Sequence, residues 1–253
     1  MTRVLLLGDN HAGHRGGLTP PAYWYSEERD EGDWPKIQRE AWNWYAGTIA
    51  DLQPIDVALH LGDSIEGPGK RNGGTELIST DLLEQVKIAT ETLAIVKPRR
   101  GWVMVYGTPY HTTDGAADFD GIVANNLGAE IHNHAWVNVD GTTFDIKHKL
   151  GGSSTPTGGD IALRKEILWS HEWALAHGYP ICDYIVRGHV HRERVVDNAR
   201  SLPSLQLWTK YGGRQCTGLV NFGLTWCDIE DGEATWHSRK TLVESARPSM
   251  VVM

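Results

Sequence analysis

Short apolar runs that break abruptly into glycine, aspartate or histidine are the feature that most limits what this chain can become. Residues 4–7, VLLL, open into Gly8-Asp9-Asn10-His11, and residues 57–61, VALHL, open into Gly62-Asp63-Ser64. Residues 103–106, VMVY, lead to Gly107-Thr108-Pro109-Tyr110-His111. Residues 143–147 end at His148, and 184–187, YIVR, lead to Gly188-His189-Val190-His191. Runs this short, with little polar alternation, suit strands buried on both faces. Each polar group then falls at the carboxyl end of a strand, the edge where open α/β sheets build their sites, so the five segments can meet in one cleft.

The intervening segments have helical spacing. Ile37, Ala41, Trp44 or Tyr45, Thr48 and Leu52 predict a helix after a long loop ending near Pro35, and residues 76–96 predict a second, with Pro98 beyond it. Helices are also predicted over 118–127 and 161–176, and Asp140-Gly141 between residues 136–139 and 143–147 signals a hairpin. Beyond Val195 the chain reads mostly as strands, at 205–208, 220–226 and 234–238. The expectation is an α/β fold, a two-sheet sandwich flanked by helices, formed by one domain over residues 1–253.

Gly8 to Gly13 has the G-x-x-x-x-G spacing of a phosphate-binding loop. His14 and Arg15 stand where such a loop needs Lys and Ser or Thr, and Asp9 puts a carboxylate where phosphate would sit. A dinucleotide fingerprint fails as well, because position 10 is Asn rather than Gly. Metal delivery has the better physical case: in an extended stretch residues i and i+2 point to the same side, so Asp9 and His11 converge, as do His189 and His191. Mixed carboxylate and imidazole donors suit manganese, iron or zinc.

In order and approximate spacing, GDNH, GDS, a GxxxH segment, an isolated His and GHVH resemble the calcineurin-like metallophosphoesterase family, over residues 9–191. The resemblance implies a two-sheet fold holding two divalent metal ions, manganese first among the candidates and iron or zinc the others. It places Asp9, His11 and His191 on one ion, His148 and His189 on the second, and Asp63 between the two. It also implies hydrolysis of a phosphoester by a hydroxide shared between the ions, without a covalent enzyme intermediate. Relatives usually read Gly-Asn-His at the third motif; here Thr108 takes the place of the Asn ligand and His111 is displaced by two residues. His111 is then the candidate general acid or transition-state stabiliser, and Asp63 and His111 are the catalytic candidates.

Protein phosphatases of this kind continue the second motif as GDxxDRG, whereas Asp63-Ser64-Ile65 is followed by Glu66-Gly67, without the arginine. A phosphodiester substrate, nucleic acid or nucleotide, is therefore expected over phosphoprotein, and residues 202–212 resemble phage-associated members of the superfamily. A phosphomonoesterase, a metal-binding scaffold of the same fold and a nucleotide-binding module are the alternatives. A net charge of −8 argues against holding nucleic acid by a broad basic surface, although bound metal ions supply positive charge locally. Cys182, Cys216 and Cys227 form neither a disulfide framework nor a CxxC site, and no apolar run is long enough to span a bilayer, so the expected setting is a reducing cytoplasm without membrane association.

Seven further histidines, at 14, 60, 132, 134, 171, 177 and 237, match no ligand position and are expected on the surface or in hydrogen bonds; His60, next to the second motif, is a candidate support for the ligands. His171-Glu172 lacks the second histidine of a helical zinc site, since position 175 is Leu. Trp24, Trp34, Trp42 and Trp44 are expected to pack a core or an interface, with base stacking as the alternative. Lys70 and Arg71, within 67–74, form a candidate phosphate contact or a solvated turn, and the acidic run 27–33 would repel nucleic acid.

Overall fold

A computed structural model describes residues 1–25, 32–70, 73–114, 117–152, 155, 158–215 and 219–243. The acidic run 27–33 falls mostly outside the described residues, as do Arg71 and Cys216.

The first sheet is built on β1 (Thr2–Leu7), which lies between β2 (Val57–His60), parallel to it, and a late antiparallel strand. Helix α1 (Trp34–Leu52) joins β1 to β2, and α2 (Leu82–Ala94) joins β2 to β3 (Gly101–Val105). Helix α3 (Pro109–Thr112) and the short pair β4 (Thr113–Asp114) and β5 (Ala117–Asp118) precede α4 (Phe119–Leu127) and β6 (Glu130–His132). The second sheet begins with β7 (Ala135–Val139) and β8 (Thr142–Lys147), followed by α5 (Gly158–His177), β9 (Tyr184–Arg187), β10 (Arg194–Val196) and β11 (Ala199–Ser201). After α6 (Lys210–Gln215), the hairpin of β12 (Phe222–Glu230) and β13 (Glu233–Thr241) returns to the first sheet. The sheet orders are β13-β12-β1-β2-β3-β6 and β10-β11-β9-β8-β7.

Alternation within β1 shows why the run is wholly apolar. Val4 and Leu6 join Val57, Leu59, Phe144, Ile146 and Val186 in a cluster between the sheets. Leu5 and Leu7 join Tyr45, Ile49, Val86, Ile88 and Val123 from α1, α2 and α4 on the other face. Helix α5 covers the outer face of the second sheet, with Leu163 packed among Ile185, Val196 and Ala199. The architecture is the expected two-sheet sandwich flanked by helices, and among the described residues no helix is long and apolar enough to cross a membrane.

Several local expectations are corrected. The helix predicted from residue 76 starts at Leu82, because Asp81 caps it by accepting a hydrogen bond from Leu83 N, and it ends at Ala94 before Pro98. Residues 205–208 form no strand: Gln206 makes only an isolated bridge to Gly17, and residues 210–215 are helical. The Asp140-Gly141 hairpin forms as expected, both residues at positive φ, the mark of a two-residue turn that matches strand twist. Trp34, Trp42 and Trp44 pack against the main core, as the core reading of those residues expects, and Trp24 Nε1 donates to Thr19 O.

Charge is buried under the second sheet. Arg187, fully buried at the end of β9, donates to Asp145 Oδ1 at 2.7 Å, to Asp145 O at 2.9 Å and to Glu166 Oε2 of α5 at 2.8 Å, while His134 Nε2 lies 2.7 Å from Asp145 Oδ1. Burial resists ionisation of Asp145, but His134 and Arg187 outweigh it and hold the carboxyl below its ordinary range. Replacing Asp145→Asn leaves Glu166 as the one carboxylate on Arg187 and weakens a charge-assisted hydrogen bond, and we expect a loss of about 2 kcal/mol at neutral pH, read by urea unfolding. A lowered folded-state pKa stabilises above the unfolded value of about 4 and ceases to do so as pH falls through the folded value, so the gap between the two proteins should close on acidification.

Candidate metal centre

Strand register brings the motifs together. Leu7, His60 and Met104 lie side by side at the ends of β1, β2 and β3, and Lys147 pairs with Arg187 at the ends of β8 and β9. The loops that follow are stitched to one another: Asp9 N donates to Gly62 O, His11 N to Asp63 O, and Gly188 N to His148 O. Asp9, His11, Asp63, His189 and His191 all have left-handed backbone, with φ between 47° and 74°. This conformation costs a non-glycine residue roughly 1–3 kcal/mol and clusters at functional sites. It also changes the reason for convergence, since the i, i+2 pairs meet through turned backbone and not through strand alternation.

Two groups of side chains form. In the first, His191 Nε2 lies 3.2 Å from Asp9 Oδ1 and 3.1 Å from His11 Nε2, and His11 Nε2 lies 3.9 Å from Asp9 Oδ1. In the second, His148 Nε2 lies 3.0 Å from Asp63 Oδ2 and 3.3 Å from His189 Nδ1. Thr108 Oγ1 completes that group at 3.1 Å from His148 Nε2, 3.3 Å from His189 Nδ1 and 3.3 Å from Asp63 Oδ2. Asp63 Oδ2 is also 4.0 Å from His11 Nε2, which sets this one oxygen between the groups. Among the described residues, three groups lie close enough to hold an ion: Asp9, His11 and His191; Asp63, His148 and His189; and His11, Glu66 and His111.

The donor sets fit divalent cations. Bonds of about 2.1 Å to nitrogen and oxygen give ligand-to-ligand edges of about 3.0–3.4 Å, the spacing seen in the second group and at His191. Tautomers agree: His11 Nδ1 is 2.9 Å from Glu66 Oε2 and His148 Nδ1 is 2.5 Å from Leu61 O, so each ring spends its Nδ1 proton outward and turns the Nε2 lone pair inward. Carboxylate geometry is fixed as well. Thr108 N donates to Asp63 Oδ1 at 2.6 Å and His189 N to Asp9 Oδ2 at 3.0 Å.

Electrostatics of the pocket favour positive charge. Asp9 and Asp63 are buried, which alone would raise their pKa values, yet His191 and His148 hold both carboxyls well below the usual range. Burial likewise opposes charge on His148, but Asp63 and Asp9 raise it to about 10; His191 is raised against its burial by Asp9. His189 falls to about 4 through burial and the charge on His148, and burial lowers His11. Two carboxylates held ionised in a buried pocket draw positive charge towards them, a demand that metal ions can meet.

Supports not marked by any sequence motif surround these donor groups. Asp120, at the start of α4, accepts from Ser64 N at 3.0 Å and Gly107 N at 2.8 Å, clamping the second and third motif loops; burial and the charge of Asp63 raise its pKa to about 6. Gly107 is required by that closeness, since a Cβ there would lie 2.2 Å from Asp63 N. Glu66 faces both His11 and His111, with Gln206 Nε2 at 3.3 Å from its Oε2. Burial would raise the Glu66 pKa, but the hydrogen bond from His11 and the neighbouring histidines lower it to about 2. His60, expected as a support, lies 2.8 Å from Asn10 Oδ1 and accepts from Gly62 N at 3.2 Å.

His111 stands in α3, the short helix that takes up the two-residue displacement of the third motif. Its Nδ1 lies 2.8 Å from Glu66 O, and its ring meets that of His11 edge-on at 4.6 Å between centroids. With 18% side-chain exposure against 3% for His11 and His148, it is the most open of these three rings. His14 is buried beside Glu76 and belongs to neither group.

No protein-family profile matches the chain, and no curated protein matches it. Among solved structures, a single mutant of Vps29 from Entamoeba histolytica is similar over 95% of this chain and 100% of that one, with a TM-score of 0.44 and 13% identity. An archaeal phosphodiesterase is similar over 95% of this chain and 100% of its own, with a TM-score of 0.44 and 14% identity. Vps29 from Chaetomium thermophilum has a TM-score of 0.43 and 11% identity, covering 95% of each chain. The chemistry of the site therefore rests on its own side chains.

Glu66 offers a direct check. Replacing Glu66→Ala leaves His11 Nδ1 without its carboxylate, and metal affinity measured by calorimetric titration with manganese should fall about 10- to 100-fold while the fold is retained.

Proposed function

We propose that the chain is one metallophosphoesterase domain of the calcineurin-like kind, a dinuclear-metal hydrolase acting on phosphodiesters. The observation that supports this most is the position of Asp63 Oδ2 between two groups of inward-turned donors, 3.0 Å from His148 Nε2 and 4.0 Å from His11 Nε2. In this reading Asp9, His11 and His191 hold one divalent cation, His148, His189 and Thr108 the other, and Asp63 both. When bound, such a pair supplies Lewis-acid charge for the phosphoryl oxygens and lowers the pKa of a shared water.

The protein's own groups do the rest. His111 donates from Nδ1 to the Glu66 carbonyl, which leaves Nε2 as the nitrogen for proton exchange with a substrate oxygen. The backbone N–H of Thr108 orients the Asp63 carboxylate, while Asp120 clamps the loops on either side of it through Ser64 N and Gly107 N, so that Asp63 would be held ready for the cations. A diester, as in a nucleotide or nucleic acid, is favoured over phosphoprotein because Glu66-Gly67 replaces the aspartate and arginine of the phosphatase motif.

Thr108 favours a second reading, a metal-binding scaffold with weak turnover, because a neutral hydroxyl is a poorer ligand than an amide carbonyl. Hydrolysis of bis(p-nitrophenyl) phosphate beside p-nitrophenyl phosphate, in metal-stripped protein titrated with manganese, separates the two. Metal-dependent cleavage that prefers the diester is expected, and metal binding with no turnover of either ester would leave the scaffold. Asp63→Asn should abolish turnover with an unchanged circular dichroism spectrum, since Asn tolerates the left-handed backbone at that position. Thr108→Asn should tighten the weaker manganese site, and an unchanged titration would refute the ligand role of position 108.

A further inference from the structure

We propose that the outer face of α5 is an interface between two copies of this chain, packed antiparallel about a two-fold axis at Leu168. Among the described residues, exposed large apolar side chains concentrate on and just after this helix: Ile161, Leu168, Trp169, Leu175, Tyr179 and Ile181. Leu168 is 65% exposed and Leu175 85%. The inner face is already spent, with Leu163 in the core under the second sheet and Glu166 bound to Arg187. An apolar row on the face opposite is more than single exposed residues would produce on a monomer.

The spacing of that row names its occupant. Ile161 and Leu175 stand two helical turns to either side of Leu168, so the three lie on one line along the helix. In an antiparallel pair about Leu168, Ile161 of one copy meets Leu175 of the other, and the two Leu168 side chains meet on the axis. Charge follows the same symmetry. Lys165, one turn before Leu168, and Glu172, one turn after it, stand seven residues apart on the same flank of the row, so Lys165 of one copy faces Glu172 of the other. A face whose apolar and charged positions both match their own two-fold image is what an isologous dimer requires.

Rigid aromatic groups border the row. Trp169 stacks on Trp173, whose ring lies under Lys147 Nζ at 4.8 Å, and Tyr179 stacks on Trp136 of the edge strand β7 at 4.8 Å. Tryptophan and tyrosine held in this way lose little freedom on association and are common energetic centres of interfaces.

Sedimentation velocity of the full chain over a concentration series tests the proposal. A dimer is expected at about 100 µM or below, with Leu168→Glu raising the dissociation constant at least about tenfold. Lys165→Glu alone and Glu172→Lys alone should each weaken association, and the two together should restore it, because the pairing is reinstated with reversed sign. Unchanged melting temperatures would show that these exposed substitutions leave the fold intact. A wild-type monomer throughout the series would overturn the proposal and leave the face to a different protein. A dimer indifferent to Leu168→Glu, or a double reversal that fails to restore association, would overturn it as well.

Discussion

Two carboxylates buried within one pocket set the terms for the rest of this molecule. Asp9 and Asp63 are almost without solvent, and like charges so placed persist only where positive charge and directed N–H groups face them. The backbone supplies His189 N and Thr108 N, the imidazoles of His191 and His148 face the two carboxylates, and a pair of dications would supply stronger positive charge. Left-handed backbone at five of these residues is the conformational cost of aiming so many polar groups at one point.

The sandwich exists to hold that point still. Parallel β1, β2 and β3 end level with one another, as do β8 and β9 in the facing sheet, and the apolar cluster between the sheets fixes the distance across. Cross-links then tie the loops: His148 reaches from the second sheet to Leu61 O in the first, and Asp120 joins the loops that carry Asp63 and Thr108. Beneath the last motif, the Arg187, Asp145 and Glu166 cluster connects β9 to β8 and α5. A buried ion cluster of this kind adds little net stability against an apolar alternative, but losing one member is costly, so it holds the strand that carries His189 and His191 in place.

Much of this was legible in the sequence because apolar runs and polar strand ends are local signals. The order of the motifs sufficed to gather Asp9, His11, Asp63, His148, His189 and His191, and the core role of the tryptophans followed from Trp44 lying on the apolar stripe of α1. Glu66, Gln206 and Asp120 were not legible as supports, because their meaning lies in contacts with residues far along the chain and nothing in their local spacing marks them. The false strand at 205–208 has a related cause. Leu205 and Leu207 alternate with polar neighbours as a strand would, but their N–H groups go to Asp9 O and Gly16 O, so tertiary contacts took the hydrogen bonds that a sheet would need. Asp9 and His11 converge for a reason the spacing did not contain, since a left-handed turn is invisible to a two-residue periodicity.

Strand order also has a meaning in time. The strand leading to Asp9 and His11 ends at Leu7, yet its antiparallel neighbour β12 begins only at Phe222. Until residues 222–230 leave the ribosome, β1 has an unpaired edge, and the Asp9 carbonyl waits for Leu205. The pocket can therefore close only after β12 has been synthesised, and a chain interrupted before it would present a bare strand edge beside partly gathered Asp and His side chains.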